Sequence, residues 1–265
     1  MINDNSRVGI IMAGGNGTRL YPLSKVINKH LLPVYDKPMI YYPLSTLIRF
    51  GHKLIYLIST RQNIPLFRKL LGDGATFGVK IIYKIQDKPR GIANCFHILK
   101  NKIKNKKTTL ILGDNLFISN FENLVDLTDR KGATLVCTHV KNPKDYGVVD
   151  FQRNTIKKII EKPSKPKSNL ISTGLYFYDE NLLTYLNQLK PSKRGEYEIA
   201  DLNNIYIKKK QCNLFVLKST DSWYDLGQID DLNDCSTFLR VKLAFWVSSS
   251  DFLKVFKPLK PENIF

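Results

Sequence analysis

Residues 8–33 read VGIIMAGGNGTRLYPLSKVINKHLLP, and the fold follows from how that string breaks. Val8 to Met12 form a short apolar run of the length and β-branched content that suits a buried strand. The run ends abruptly in Ala13-Gly14-Gly15-Asn16-Gly17-Thr18. Three glycines in four positions remove the side chains that would hold a ligand off the backbone. Successive N–H groups can then turn inward around phosphate oxygens. Arg19 follows at once and Lys29 comes ten residues later, offering a planar fork and a movable point charge to a polyanion. Two better-known phosphate loops are excluded. The P-loop needs Gly-Lys-Ser/Thr, and here Thr18-Arg19 follows Gly17. The dinucleotide fingerprint needs a third glycine where Leu20 stands. Taken alone, the glycine cluster fits an ordinary turn equally well.

Working outward, the chain alternates apolar runs with helical segments. A helix is predicted over 38–50, with Pro38 at its start and Gly51 just past its end. Strands follow at 53–59, 79–85 and 110–112, separated by helices at 63–71 and 91–99. This alternation predicts an α/β fold, Rossmann-like, with a mostly parallel twisted sheet flanked by helices. Ligands of such sheets sit at the carboxyl ends of the strands. Gln86 to Gly91 and Gly113-Asp114 both fall on that edge. The Gln86 amide donates and accepts at once, which suits a pyrimidine edge, although the segment also reads as a surface loop. Asp114, at a strand end facing a triphosphate pocket, suits Mg²⁺, although Gly-Asp-Asn also reads as a turn or helix cap. Ser119 or Asn120 is the expected cap of a helix at 123–129. A strand at 132–140 carries His139 as a packed residue. Strands at 148–151 and 156–161, joined by a turn at 152–155, form a small antiparallel insertion. A strand at 169–179, a helix capped by Asp179 and running to about 189, and a helix opening at 194 follow.

Composition bounds the rest. Hydrophobic content of 43% and charged content of 24% are ordinary for a globular protein. The net charge of +18 is not, and it admits a nucleic-acid or anionic-membrane partner. The lysines are scattered, however, with small clusters at 100–107 and 208–210 and no aromatics interleaved as a stacking platform requires. The expectation is compositional drift that favours anionic substrates, with no nucleic acid and no membrane. Cys95, Cys137, Cys212 and Cys235 lie far apart, without zinc spacing, and read as buried thiols in a reducing compartment. The N-terminal MINDNSR lacks an apolar h-region, and no apolar run approaches the ~20 residues of a membrane span, so a cytoplasmic location is expected.

The full string is more specific than its parts. Ala-Gly-Gly-x-Gly-Thr-Arg-Leu, then Lys29-His30-Leu31-Leu32-Pro33 and Tyr35-Asp36-Lys37-Pro38-Met39-Ile40-Tyr41-Tyr42-Pro43, closely resembles the sugar-nucleotide pyrophosphorylases, and within them the thymidylyl-transferring branch. The resemblance runs in order from about Val8 to about Leu232 and includes Glu161-Lys162-Pro163 and Trp223-Tyr224-Asp225-Leu226-Gly227. It implies transfer of a nucleotidyl group from dTTP to glucose 1-phosphate, giving dTDP-glucose and pyrophosphate with Mg²⁺. The alternatives are UTP or CTP as donor, or an impaired homologue that only binds nucleotide sugars. The resemblance assigns catalytic roles to Arg19, Lys29 and Lys162, and nucleotide contacts to Gly14, Gly15, Gly17, Thr18, Gln86 and Gly91. It assigns the sugar phosphate to Gly147, Glu161, Lys162, Thr173 and Arg194, and the metal to Asp114 and Asp225. Departures from the pattern stand at Asn28, His30, Arg90, Asn94, Ser172 and Leu226.

The expected domain covers 1–232, with a nucleotide-binding part over about 1–140 and a sugar-binding part over about 141–232. Residues 233–265 form a shortened, divergent tail in which 238–247 reads as an amphipathic helix docking on the body or on another subunit. A homo-oligomer is expected, with its assembly open because of that tail.

Overall fold

The computed structural model describes residues 6–15, 17–118, 126–152 and 155–246. The expected cap at Ser119 or Asn120, the middle of the 152–155 turn and the chain beyond 246 lie outside them. In order the strands and helices are β1 (Arg7–Met12), β2 (Pro33–Val34), β3 (Lys37–Pro38), α1 (Tyr41–Arg49), β4 (Leu54–Ser59), α2 (Ile64–Leu71) and β5 (Lys80–Ile85). Next come α3 (Asn94–Ile98), β6 (Lys107–Leu112), β7 (Asn115–Ile118), β8 (Ala133–His139), β9 (Gly147–Gln152), β10 (Thr155–Glu161) and β11 (Leu170–Tyr178). The last are α4 (Leu182–Leu186), α5 (Ile199–Lys208), β12 (Cys212–Val216), β13 (Ser222–Asp225) and α6 (Ile229–Trp246).

The main sheet runs β10-β9-β11-β6-β1-β4-β5, with β8 beside β11 and β12 beside β8. The β6-β1-β4-β5 part is parallel, so the carboxyl ends of all four strands share one edge. Strand β11 enters antiparallel beside β6 and pairs antiparallel with β8 and β9 as well. The antiparallel part is therefore wider than the β9–β10 insertion that the sequence predicts.

Both faces of the sheet are covered, which explains why β1 is apolar without alternation. Val8, Ile10 and Met12 pack on one side with Phe96, Leu99, Leu186 and Leu202. Ile11 packs on the other with Leu44, Leu47, Phe50 and Phe67. In β11, Tyr176 and Tyr178 face the first layer, and Leu175 and Phe177 the second. A third cluster joins Val34, Met39, Tyr42 and Leu116 to Leu226, Cys235 and Leu239, and so docks α6 on the body.

Several boundaries move for local reasons. α1 begins at Tyr41 because Lys37–Pro38 pairs with Pro33–Val34. α3 is shorter than 91–99, since Gly91 has φ +85° and the Ala93 N–H donates to the Tyr197 carbonyl. α5 begins at Ile199 and not at 194. Gly195 has φ +76°, and the Tyr197 N–H donates to the Arg90 carbonyl. β7 and β12 were not expected, as four or five residues carry too little periodicity to stand out. His139 is exposed at a strand end, where its Nδ1 meets Asn169, so it is not the packed residue expected. The cysteines are free; Cys95, Cys137 and Cys235 are buried and Cys212 half-buried. Among the described residues no helix is long and apolar enough to cross a membrane.

Phe96 is fully buried and meets Tyr178 edge-on with 5.3 Å between ring centroids. Phe96→Ala is expected to lower unfolding free energy by about 3–5 kcal/mol, read from urea denaturation. A loss below about 1 kcal/mol would show that this layer does not hold the core together.

Candidate active site

Loops leaving the four parallel strands are bonded side by side along their shared edge. The Gly113 N–H donates to the Met12 carbonyl (2.8 Å), and the Ala13 N–H to the Ile58 carbonyl (2.8 Å). Ser59 Oγ donates to the Ala13 carbonyl (2.6 Å), and the Gln86 N–H to the Ser59 carbonyl (2.9 Å). The glycine turn, Asp114 and Gln86 thus hang from one continuous hydrogen-bonded rim. A Cβ added at Gly14 or Gly15 would meet nothing within 4 Å, so this face of the turn is open. Gly17 has φ +59°, and a Cβ there would press on Lys29 at 3.2 Å, which makes glycine the residue that lets Lys29 lie against the turn. Thr18 is exposed and opens a 3₁₀ turn through Leu20.

Lys29 Nζ forms an ion pair with Asp114 Oδ2, and both side chains are 12% exposed. Two neighbours support it. Asn28 Oδ1 accepts from the His30 N–H (2.9 Å) and from His30 Nδ1 (2.8 Å). An amide oxygen only accepts, so the His30 proton sits on Nδ1. Burial first, and Lys29 second, push His30 down to about 3, so the imidazole is neutral. A Cβ at Gly113 would lie 2.7 Å from His30 Cδ2, so the bare backbone before Asp114 rests directly on that ring. Asn28 and His30, departures from the resembling pattern, hold each other in place beneath Lys29. Burial raises the Asp114 carboxyl, but Lys29, His30 and the Asn115 amide together outweigh it and keep it well below the carboxylate range.

Asp225 reaches the same spot from the far end of the chain. β13 pairs antiparallel with β7, setting Asp225 opposite Asn115, and the Leu226 N–H donates to the Asp114 carbonyl (2.9 Å). Arg19 lies 3.8 Å from Asp225 Oδ2. A Cβ at Gly227 would fall 2.6 Å from the Arg19 guanidinium, so glycine leaves room for that approach. Burial first, and the Asp114 charge second, push the Asp225 carboxyl up to about 6 against the pull of Arg19 and Lys29. Two carboxylates that raise each other's cost and offer only hard oxygens fit a divalent cation of the Mg²⁺ type. No group of three or more His, Cys, Asp or Glu suited to a metal occurs among the described residues. A cation on Asp114 and Asp225 would therefore complete its shell from water and phosphate, the habit of Mg²⁺. Leu226 points away into the third cluster, so that departure from the resembling pattern faces the core.

The remaining expected residues form two groups on either side. Gln86 Nε2 donates to the Gly91 carbonyl (3.4 Å), and Asn94 Nδ2 donates to Gln86 Oε1 (3.0 Å). A Cβ at Gly91 would overlap the Tyr197 carbonyl. On the other side, Gly147, Glu161 and Ser172 face one another. A Cβ at Gly147 would lie 2.8 Å from Ser172 Oγ and 3.4 Å from Glu161 Oε2. Burial raises the Glu161 carboxyl; Glu198 and Asp201 raise it further, while Lys162 and Arg194 oppose. Lys162 is exposed, has φ +44° and donates its N–H to the Tyr146 carbonyl (3.0 Å). Arg194 Nη2 lies 2.9 Å from Glu198 and 3.9 Å from Glu196, so it is already committed to acids. The Thr173 hydroxyl is buried and donates to the Val136 carbonyl (2.8 Å), which turns it into the sheet.

Sequence reasoning missed the residues that join these groups. Asn115 Oδ1 accepts from Trp223 Nε1 (2.7 Å) and from the Gly174 N–H (3.0 Å), while its Nδ2 donates to Asp114 Oδ1 (3.1 Å). Burial first, and the charge of nearby Asp225 second, raise the Tyr146 hydroxyl, and its ring meets Trp223 edge-on at 5.7 Å. Their only signal was adjacency, since Asn115 follows Asp114 and Tyr146 precedes Gly147.

A profile described as nucleotidyl transferase matches residues 8–242. The chain is 44% identical over 236 residues to a glucose-1-phosphate thymidylyltransferase of Neisseria meningitidis, covering 88% of this chain and 82% of that protein. It is 44% identical over 241 residues to the enzyme of the same name from Mycolicibacterium smegmatis, with the same coverage. A crystal structure from Bacillus anthracis, assigned to that enzyme name and solved with sucrose, superposes with a TM-score of 0.82 at 37% identity, covering 88% of this chain and 95% of that one. A UDP-glucose pyrophosphorylase complexed with UDP-glucose shares the fold, with a TM-score of 0.75 at 23% identity. With the open glycine turn, Lys29 and the paired aspartates lying within the matched residues, the chain belongs to the nucleotidyl transferase family.

Proposed function

We propose that this site transfers a thymidylyl group from dTTP to glucose 1-phosphate, releasing pyrophosphate and forming dTDP-glucose, with Mg²⁺ on Asp114 and Asp225. The observation that carries the proposal is the meeting of Arg19, Lys29, Asp114 and Asp225 beside the open turn. The names of the relatives supply the two substrates.

The attacking group is a sugar-phosphate oxygen, already an anion, so the chain need not supply a general base. The obstacle is repulsion between two polyanions, and catalysis rests on positioning and charge neutralisation. The backbone of Gly14, Gly15, Gly17 and Thr18 cradles the triphosphate. An incoming triphosphate gives Lys29 phosphate oxygens to hold in addition to Asp114, and Lys29 then meets charge developing at the α-phosphorus. Arg19, whose side chain is 50% exposed, stabilises the departing pyrophosphate. Lys162 orients the attacking phosphate. Gly147 and Glu161 hold the sugar, Thr173 contributes through its place in β11, and Arg194 lies at the rim. Gln86 and Gly91 meet the base. A divalent cation bound by the two aspartates supplies Lewis acidity and positive charge to the phosphate oxygens.

Purified protein with Mg²⁺ and glucose 1-phosphate is expected to release pyrophosphate with dTTP, and EDTA is expected to abolish the release. Preferential use of UTP or CTP would reassign the donor. Absence of pyrophosphate with every triphosphate would reject the transfer reaction. Lys29→Ala and Asp225→Ala are each expected to cut kcat/KM by roughly 10²–10⁴-fold with the circular dichroism spectrum unchanged. Near-normal turnover in either variant would remove that residue from the mechanism.

The Asp225 carboxyl also sets a pH signature in metal-free protein. Its folded value of about 6 lies above the ordinary aspartate value of about 3.9. The native state therefore holds this proton more readily than the unfolded chain, and the associated stability is present at low pH and lost as pH rises through about 6. Asp225→Asn is expected to stabilise the metal-free protein by roughly 1–3 kcal/mol at pH 8, a gain that fades by about pH 4. Urea unfolding at several pH values reads this directly, and a gain independent of pH would trace the effect to packing.

A further inference from the structure

An edge strand leaves alternate backbone N–H and C=O groups without a partner strand, and a folded chain must pair them, cover them or leave them to water. Strand β10 is in that position, since it ends the main sheet and pairs with β9 alone among the described strands. At one residue the unpaired side is met by a side chain. The Ile159 N–H donates to Asn204 Oδ1 (2.7 Å), and Asn204 Nδ2 donates to the Ile159 carbonyl (2.9 Å). A backbone N–H only donates and a carbonyl only accepts, so both ends of the Asn204 amide are assigned by groups that cannot exchange roles. One asparagine thus reproduces the pair of bonds that a neighbouring strand would make.

Asn204 stands on a rigid support. It lies within α5, whose Leu202 and Tyr206 are fully buried in the first core layer. Asp201, three residues earlier, shares a helix face with it. Burial first, and the charges of Glu198 and Asp201 besides, raise the Glu161 carboxyl, so this face of α5 is turned to the end of β10.

What Ile159 carries explains why its place matters. Its side chain is buried, and a Cβ at Gly147 would lie 3.2 Å from Ile159 Cγ2 and 3.4 Å from Glu161 Oε2. Residues two apart on a strand share a face. Ile159 and Glu161 therefore stand together beneath Gly147, which the register sets opposite Glu161. Lys162 follows at once, with φ +44°. A displacement of Ile159 is passed to Glu161 and Lys162 within three residues.

We infer that Asn204 is a positioning residue for the sugar side of the site: by holding both backbone groups of Ile159 it fixes edge strand β10 against α5, and so sets Glu161 and Lys162 for the sugar phosphate. The inference rests on the proposed roles of Glu161 and Lys162. Without the clamp, β10 keeps its pairing with β9 but its outer edge is released, and Glu161 loses its fixed distance from Gly147. The glycine turn and Gln86 hang from the parallel strands and keep their places.

The test is equilibrium binding by calorimetry, which requires no turnover, of dTDP-glucose, which fills the sugar side, and of dTTP, which does not. Asn204→Leu, branched at Cγ like asparagine but without polar atoms, is expected to weaken dTDP-glucose by about tenfold, the worth of one well-made hydrogen bond, and to leave dTTP within about twofold. A merely structural role would weaken both ligands alike. Asn204→Asp keeps the acceptor for the Ile159 N–H and loses the donor. It is expected to act in the same direction and stands in if the leucine variant fails to fold. Amide exchange reads the bond itself: the Ile159 N–H is expected to exchange at least about tenfold faster in either variant than in the wild type, and an unchanged rate would overturn the clamp. Equal loss for both ligands, or no loss, in these variants, with dTDP-glucose selectively weakened in Glu161→Ala, would also overturn the clamp and leave the sugar role of Glu161 standing. No selective loss in Glu161→Ala, or no binding of dTDP-glucose by the wild type, would overturn both.

Discussion

Mutual repulsion between Asp114 and Asp225 is the constraint around which this molecule is arranged. A lone carboxylate buried among apolar groups is costly, and a second one beside it raises the cost again. The chain nevertheless brings the two together by pairing β7 with β13, elements more than a hundred residues apart in sequence. It offsets part of the charge unevenly. Asp114 receives a direct ion pair from Lys29, whereas Asp225 has Arg19 only at 3.8 Å. The result is one firmly ionised carboxylate and one poised near neutrality. Residual negative charge of this kind, fixed in the folded chain, suits a divalent cation.

Rigidity at that point comes from the surrounding polar network. Asn115 ties Asp114 to β11 through Gly174 and to β13 through Trp223. Tyr146 lies beside Asp225 and takes the N–H of Lys162, the first residue after β10, on its carbonyl. His30, neutral and fully buried, forms the floor beneath Gly113. None of these groups carries a formal charge, so they add orientation without adding to the repulsion already present. Glycine serves close approach at Gly17, Gly113 and Gly227, where any side chain would press on Lys29, His30 or Arg19 respectively.

Much of this was legible in the chain itself. The apolar run of β1, the break at Gly14 and the spacing to Lys29 carry local physical meaning and locate the open turn. The parallel half of the sheet follows from alternating runs and helices. The less visible parts depend on long-range pairing. Nothing in Asn115 shows that its amide serves Asp114 beside it together with Gly174 of β11 and Trp223 of β13. Nothing in residues 194–198 shows that Tyr197 spends its backbone on the Arg90 loop and so delays the helix to Ile199. Thr173 shows the same limit within one strand. Its position in β11 was readable, but its hydroxyl faces the Val136 carbonyl, a consequence of sheet register that no single strand reveals.

The contact of Gly91 with Tyr197 has a consequence for altering this protein. The two segments interlock so tightly that the space a Cβ would need at position 91 is filled by backbone, with the Tyr197 nitrogen 2.7 Å away. Loop 86–94 and segment 192–198 therefore behave as one exchangeable cassette. Grafting either from a homologue without its counterpart would leave mismatched surfaces, so chimaeras in this region must transplant both together.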